Sequence, residues 1–254
     1  MADEDSRDVL GHRAKIGVVV PSTNTVVQPE MEAMRPDGVT NHVSRIRIPN
    51  VPIGDDEAFA RLIAMIMGAQ DEAIDAVMSC EPDHVILGIS AETFWDGANK
   101  SDELRETLAK RAGVGVTLAS DAIAAALART GARRIGIVTP YQSIGGSKVT
   151  RFFGEIGLEV TEVVCLACSS PVATAHVGPD VMERSTRELA MSRPDAVVQI
   201  GTNLPFAHLA ARLEPELGLP VVCANTALYA HALDALGIPD PVAGFGPILA
   251  DRRR

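Results

Sequence analysis

The 254-residue chain is poor in aromatic residues, with one tryptophan, two tyrosines and six phenylalanines. Long apolar runs are also missing, and the first twelve residues are rich in charged side chains. A signal peptide needs an apolar core, and a transmembrane helix needs about 20 apolar residues in succession. The sequence therefore predicts a cytoplasmic protein without a membrane-spanning segment.

Positive charge is scarce as well, because 33 acidic residues outnumber 23 basic ones and give a net charge of −10. Nucleic-acid binding depends on a surplus of Lys and Arg, so no nucleic-acid partner is expected. A small anionic substrate is compatible with this charge, since backbone N–H groups in a local pocket can bind an anion. A homo-oligomer is also compatible with the sequence.

Cysteines are few, and their spacing matches neither a secreted disulfide framework nor a zinc site. The four are Cys80, Cys165, Cys168 and Cys223. We predict reduced, mostly buried thiols and no bound metal. The segment "IGGSKVT" lacks the spacing of a phosphate-binding loop, so nucleotide binding is not predicted. An enzyme with this sequence is expected to work without a cofactor.

Short β-branched segments alternate along the chain with longer Ala- and Leu-rich stretches, a pattern typical of parallel strands joined by helices. The predicted strands are 15–21, 84–90, 115–120, 134–140, 196–202 and 220–225. The predicted helices are 56–80, 101–112, 121–130, 147–156, 180–192, 205–217 and 226–236. The fold class is therefore α/β.

Three segments of the first half recur in the second half in the same order. "KIGVVVPSTN" is similar to "RIGIVTPYQS", "PDHVILGIS" to "PDAVVQIGTN", and "GVGVTLASDAIAAAL" to "GLPVVCANTALYAHAL". We predict two similar Rossmann-like (flavodoxin-like) lobes with parallel sheets, related by pseudo-twofold symmetry. Residues 12–120 with 226–250 are expected to form the N-terminal lobe, and residues 121–225 the C-terminal lobe.

Polar loops follow the repeated strands, and ligands of open parallel sheets bind beyond the carboxyl ends of the strands. Such loops present free N–H groups near helix N-termini, which favours an oxyanion or carboxylate site in the cleft between the lobes. The candidate residues are Ser22, Asn24, Thr25, Ser90, Tyr141, Thr202 and Asn203. The alternative for each of them is a plain helix-capping or turn role.

The motifs "GVVVPSTNTVVQPE" and "IGTNL", with the paired lobes, resemble the aspartate/glutamate racemase superfamily over nearly the whole chain. The maleate cis-trans isomerase branch is most similar, and arylmalonate decarboxylases share the layout. This resemblance implies a binding site that includes Gly88, Gly201, Ser90 and Tyr141, with the last two holding a substrate carboxylate. Family members typically carry a catalytic cysteine at each of two equivalent strand ends, where this chain has Gly88 and Gly201.

Neither glycine can move a proton, so racemase chemistry and the cysteine addition of maleate isomerases both lack their reactive groups. Cys223 lies within a predicted strand and is expected to be inert. Decarboxylation needs only an oxyanion site for an enediolate and one proton donor. We predict a cofactor-independent enzyme acting on a small organic carboxylate through an enediolate, with decarboxylase (lyase) chemistry favoured.

Glu92 is the predicted acid or base, because Phe94 and Trp95 beside it could shield its carboxyl group and raise its pKa. Its alternative role is a first-turn acid favoured by the helix dipole. Ser90 is not predicted to be a hydrolase nucleophile, since the G-x-S-x-G turn needs a small residue where Glu92 stands. Three other functions stay open: an isomerase or racemase with a non-cysteine acid/base, a hydrolase with Glu92-activated water, and a non-catalytic carboxylate-binding protein.

Overall fold

A computed structural model describes residues 8–252, whose strands form two four-stranded sheets with all neighbouring strands parallel. The first sheet has the order β2-β1-β3-β4 and the second the order β6-β5-β7-β8. The strands are β1 (Ala14–Pro21), β2 (Val39–Ile46), β3 (His84–Leu87), β4 (Gly115–Thr117), β5 (Arg134–Thr139), β6 (Glu159–Cys165), β7 (Ala196–Gln199) and β8 (Val221–Cys223). The two sheets thus repeat one topology, as the internal sequence similarity predicts.

Ten helices surround the sheets within these described residues. They are α1 (Val27–Ala33), α2 (Asp56–Met78), α3 (Ala91–Trp95), α4 (Ala98–Ala112), α5 (Ala119–Thr130), α6 (Ser143–Glu155), α7 (Pro179–Met191), α8 (Ala207–Leu217), α9 (Ala224–Ala235) and α10 (Pro247–Ala250). A 3-10 turn lies at Ala173–His176. Between residues 8 and 252, no helix is both long enough and apolar enough to span a bilayer.

The central strands are buried because helices cover both faces of each sheet. The residues of β3 and β7 are all buried, and only the first residue of β5 is exposed. Helix α9 packs against α5 and against β3 and β4 of the first sheet, while α5 also contacts β8 of the second. These crossing helices join the two halves. The exact lobe limits, 12–120 with 226–250 and 121–225, stay a prediction.

Two strands and three short helices escape the sequence prediction. The strands β2 and β6 are edge strands with mostly half-buried residues, so they lack the continuous apolar run of a central strand. The helices α1, α3 and α10 are too short to show a clear helical period. Strand β3 also ends at Leu87 rather than residue 90, because Ser90 already caps α3.

Candidate active site

The carboxyl ends of β1, β3, β5 and β7 meet at one cleft with a cavity volume of about 90 Å³. This volume is smaller than the range of about 300–1,000 Å³ that small-molecule sites occupy, so a substrate of that size requires the wall to move apart. The predicted residues on its wall are Asn24, Ser90, Tyr141, Gly201, Thr202 and Asn203. The four strand-end loops therefore converge, as their position in the repeat predicts.

The centre of the cleft is a pair of bonded hydroxyl groups, with 2.6 Å between Ser90 Oγ and Tyr141 Oη. The backbone N–H of Thr202 also donates to Ser90 Oγ, at 3.3 Å. The pair uses only one of its two hydroxyl protons internally, so the other is free to donate to a bound ligand. Burial raises the pKa of Tyr141 above its ordinary value, which keeps the phenol a neutral donor.

Local structure explains why the Ser90 hydroxyl is available. Ser90 is the N-cap residue of α3, yet its side chain makes no capping hydrogen bond. Its carbonyl instead accepts from the backbone N–H and the hydroxyl of Thr93, at 3.1 and 2.8 Å. Tyr141 is held from the other side, since its carbonyl accepts from Ala167 N and its ring packs 5.2 Å from that of Phe59. The Ser90 backbone and the Tyr141 backbone and ring are thereby held in place on either side of the hydroxyl pair.

Side-chain hydrogen bonds connect the strand end after β7 to the first half of the chain. Thr202 Oγ1 donates to the carbonyl of Gly88 at 3.0 Å, and Asn24 Nδ2 donates to Thr202 Oγ1 at 3.3 Å. Asn203 Oδ1 accepts from the N–H of Thr25 at 2.9 Å, and its Nδ2 donates to the carbonyl of Pro171 at 2.9 Å. These polar groups hold the cleft together and are largely engaged before any ligand binds.

Two predicted binding residues, Ser22 and Thr25, are exposed and do not line the cleft. The hydroxyl of Ser22 donates to the carbonyl of Ile48 at 3.0 Å and accepts from its N–H at 3.1 Å. Thr25 contributes only its backbone N–H, to Asn203. Ser22 therefore stabilises a turn and does not bind a ligand in the cleft.

The two glycines at the strand ends leave no room for a side chain. A Cβ atom at Gly88 would lie 2.6 Å from Val20 Cγ1, and Gly88 itself is not on the cleft wall. Gly201 does line the cleft, but its φ of +118° is unfavourable for other residues, and a Cβ atom there would collide with the ring of Pro140. The present backbone thus accommodates glycine at both positions.

Glu92 lies in the first turn of α3 with only 4% of its surface exposed. Neither carboxyl oxygen has a hydrogen-bond partner, and burial raises the pKa of Glu92 to about 8. The carboxyl group is therefore protonated at neutral pH. It is absent from the cleft wall, although in its ionised form, above its own pKa, it contributes to the raised pKa of Tyr141. The expected pKa shift is present, whereas the expected direct exposure to the cleft is not.

Sequence reasoning missed Cys168 and Thr174, which line the cleft. The N–H of Cys168 donates to the carbonyl of Pro140 at 2.9 Å, and burial raises the pKa of its thiol. Of the four free cysteines only Cys223 is fully buried, so the expectation of mostly buried thiols holds for that residue alone. Recognition of β6 would have revealed Cys168, because it follows that strand as the other cleft residues follow theirs.

Most of the remaining wall is apolar, and no cation among the described residues lines it. Side chains of α2 form much of it, among them Phe59, Leu62, Ile63 and Ile66. Within residues 8–252, no Lys, Arg or His lines the cleft, and no cluster of His, Cys, Asp and Glu could hold a metal ion. A carboxylate in this cleft would be bound by neutral donors, with apolar groups around the rest of the ligand.

A sequence profile described as arylmalonate decarboxylase matches residues 16–249. Maleate isomerase from Nocardia farcinica is 24% identical over 246 residues, which cover 92% of this chain and 95% of that protein. Maleate isomerase from Alcaligenes faecalis is 27% identical over 248 residues, covering 93% and 96%. The predicted superfamily resemblance is confirmed.

Solved structures show the same fold. Nocardia farcinica maleate cis-trans isomerase bound to TRIS superposes with a TM-score of 0.84 at 22% identity, over 93% of this chain and 98% of that chain. Unliganded arylmalonate decarboxylase superposes with a TM-score of 0.75 at 20% identity, over 93% and 99%. The predicted α/β class with two parallel sheets is confirmed.

Proposed function

The chain belongs to the arylmalonate decarboxylase family, and we propose that it is a cofactor-independent decarboxylase of a malonate-type acid with an apolar substituent. Family membership and the maleate isomerase relatives make the chain an enzyme of the isomerase or decarboxylase type. The choice of decarboxylation rests on one observation. The cleft joins a neutral hydroxyl pair, Ser90 and Tyr141, to an apolar wall without a cation.

This arrangement suits loss of CO₂. When the bond between the carbon and one carboxylate breaks, the electron pair moves onto the remaining carboxylate as an enediolate. The free hydroxyl proton of the Ser90–Tyr141 pair stabilises that oxyanion by a hydrogen bond. The apolar wall destabilises the departing carboxylate relative to neutral CO₂, because a charge without partners is costly in such surroundings.

Glu92 is the proposed source of the proton that the carbon then receives. Its carboxyl group is protonated at neutral pH, as a general acid requires. Because Glu92 does not line the cleft and its oxygens make no hydrogen bond, the proposed transfer needs a rotation of its side chain towards Tyr141. This role follows from burial and proximity to Tyr141, and mutation tests it directly.

The alternatives fit the cleft less well. Isomerization of maleate by cysteine addition needs a thiol at a strand end, and a thiol has no space at Gly88 or Gly201. This also disfavours racemization by paired thiols. A hydrolase in which Glu92 activates water needs an ionised carboxylate, and burial keeps Glu92 protonated at neutral pH. A carboxylate-binding protein without activity would share the cleft, so only turnover separates it from an enzyme.

The test is incubation of the purified protein with phenylmalonate and, separately, with maleate, followed by NMR. We expect phenylacetate and CO₂ from phenylmalonate and no fumarate from maleate. Tyr141→Phe, which keeps the ring and removes the hydroxyl, should lower phenylmalonate turnover by about 100-fold or more. Fumarate formation without CO₂ release would establish the isomerase alternative. Binding of both acids without product would establish the binding protein.

A further inference from the structure

Glu30, on α1, is not among the predicted binding residues, but its carboxylate forms hydrogen bonds with the second half of the chain. Its Oε1 accepts from the N–H of Ala207, the first residue of α8, at 3.2 Å. Its Oε2 accepts from Asn225 Nδ2 at 2.6 Å. Asn225 is 1% exposed and lies at the start of α9. The Glu30 carboxylate in the first repeat is thus hydrogen-bonded to the first turns of α8 and α9, which follow strands of the second repeat.

The side-chain amide of Asn225 is oriented by its neighbours. Besides Glu30, Asn225 Nδ2 donates to the backbone carbonyl of Thr202 at 3.0 Å. The amide has two N–H hydrogens, and both meet groups that only accept. The other end of the amide, Asn225 Oδ1, is buried without a hydrogen-bond partner. The orientation of the amide therefore depends on Glu30 and on the Thr202 carbonyl.

Thr202 connects this network to the hydroxyl pair of the cleft. Its N–H donates to Ser90 Oγ, and its own hydroxyl donates to the Gly88 carbonyl. We propose that Glu30 is a positioning residue: through Asn225 it holds the Thr202 turn at the distance at which Thr202 N–H orients the Ser90 hydroxyl. This inference deepens the proposed decarboxylase function and rests on it, because Ser90 is the proposed oxyanion donor.

The first experiment compares Glu30→Gln with a matched control, Glu214→Gln. Glutamine at position 30 can still accept from Ala207 but must turn an amide towards the Asn225 amide, so two donors meet. Glu214 is also half-buried and accepts a backbone N–H, that of Val221 at 3.0 Å, but it lies away from the cleft. With phenylmalonate we expect kcat to fall about 10- to 100-fold in Glu30→Gln, with a smaller change in KM, because a misplaced donor loses transition-state contacts. The control should keep kcat within about twofold.

A double variant distinguishes positioning of the Thr202 turn from simple attachment of α1 to α9. In Glu30→Gln with Asn225→Asp, the new amide at 30 donates to the new carboxylate at 225, so the contact between α1 and α9 is restored. The Thr202 carbonyl then faces an acceptor and stays without a donor. We expect the melting temperature to recover towards that of the wild type while kcat stays low. Recovery of kcat together with stability would overturn the proposal.

Amide hydrogen exchange at Thr202, followed by NMR, gives a readout that does not need turnover. Faster exchange at Thr202 is expected in Glu30→Gln and in the double variant, but not in Glu214→Gln. Unchanged exchange at Thr202 in a folded Glu30→Gln variant would overturn the positioning role even if kcat fell. If the wild type released no CO₂ from phenylmalonate, the proposed function would fail, and exchange at Thr202 would still decide whether Glu30 holds the turn.

Discussion

The two repeated strand ends carry different polar groups in different states. After β3, Glu92 is buried with both carboxyl oxygens unpaired. After β7, the side chains of Thr202 and Asn203 each make at least two hydrogen bonds to neighbouring segments. An unpaired buried acid is costly for folding, whereas a satisfied network is stabilising. One strand end therefore holds an unsatisfied buried acid, and the other holds a satisfied hydrogen-bond network.

This difference supports the proposal that one acid, Glu92, serves the cleft between the two similar halves. Strained or unsatisfied groups persist where the surrounding structure holds them, and such groups are frequent at catalytic sites. The hydrogen-bonded end after β7 supplies part of that support, since Thr202 reaches across to Ser90 and Gly88. Mutations after β3 should accordingly lower turnover more than stability. Mutations after β7 should lower stability more than turnover.

The largest effect is expected for Glu92→Gln. If Glu92 is the proton donor, turnover of phenylmalonate should fall by about 10²- to 10⁴-fold with little change in affinity, because the shape remains and the proton transfer is lost. A glutamate that only favours the helix dipole would cost at most about 1 kcal/mol of stability and leave turnover intact. Turnover and melting temperature measured on the same sample distinguish the roles.

The Ser90 hydroxyl comes next in expected effect. Ser90→Ala should lower kcat by about 10²- to 10³-fold, the usual cost of removing one oxyanion donor. Ser101 is a matched control, since its hydroxyl also bonds another hydroxyl, Ser120 Oγ, at 2.6 Å in a buried position outside the cleft. Ser101→Ala should change stability without changing kcat. Equal kcat in the two variants would remove Ser90 from the proposed mechanism.

The pH dependence of stability tests the state of Glu92 without any substrate. The unfolded chain releases this proton near pH 4.5 and the folded chain near pH 8. The free energy of unfolding should therefore fall as pH rises from about 4.5 to 8 and level off above that, by on the order of 3 to 5 kcal/mol from this group. Urea unfolding of the wild type and Glu92→Gln at pH 5, 6.5 and 8 measures the difference. Parallel curves for the two proteins would show that the Glu92 pKa is not raised.

Asn203→Ala addresses the other strand end. It removes the acceptor for Thr25 N–H and the donor for the Pro171 carbonyl, so the unfolding free energy should fall by about 1 to 3 kcal/mol. Turnover at a temperature where the variant is folded should drop less than in Ser90→Ala. A loss of kcat as large as that of Glu92→Gln would contradict the division between the two strand ends.

The repeat in the sequence is sufficient to predict the two sheets and the convergence of the strand ends. It was not sufficient for the wall of the cleft, because α2 supplies apolar residues that look like ordinary core, such as Ile63. The support from Glu30 and Asn225 was also missed, since it joins residues 195 positions apart on short or newly begun helices. Polar spacing along the chain shows which groups follow a strand, but contacts between distant turns depend on tertiary packing.

The smallest effect is expected from removing thiols, because the sequence predicts that Gly88 and Gly201 occupy the positions of the superfamily's catalytic cysteines. Cys168→Ser should retain turnover within about twofold, as should the control Cys165→Ser, whose half-buried thiol does not line the cleft. N-ethylmaleimide should nonetheless inhibit the wild type, because a label on Cys168 would fill the cleft, and Cys168→Ser should resist it. A tenfold or greater loss of turnover in a folded Cys168→Ser variant would instead identify this thiol as the proton donor. In that case Glu92→Gln should remain active, so the two variants together assign the acid.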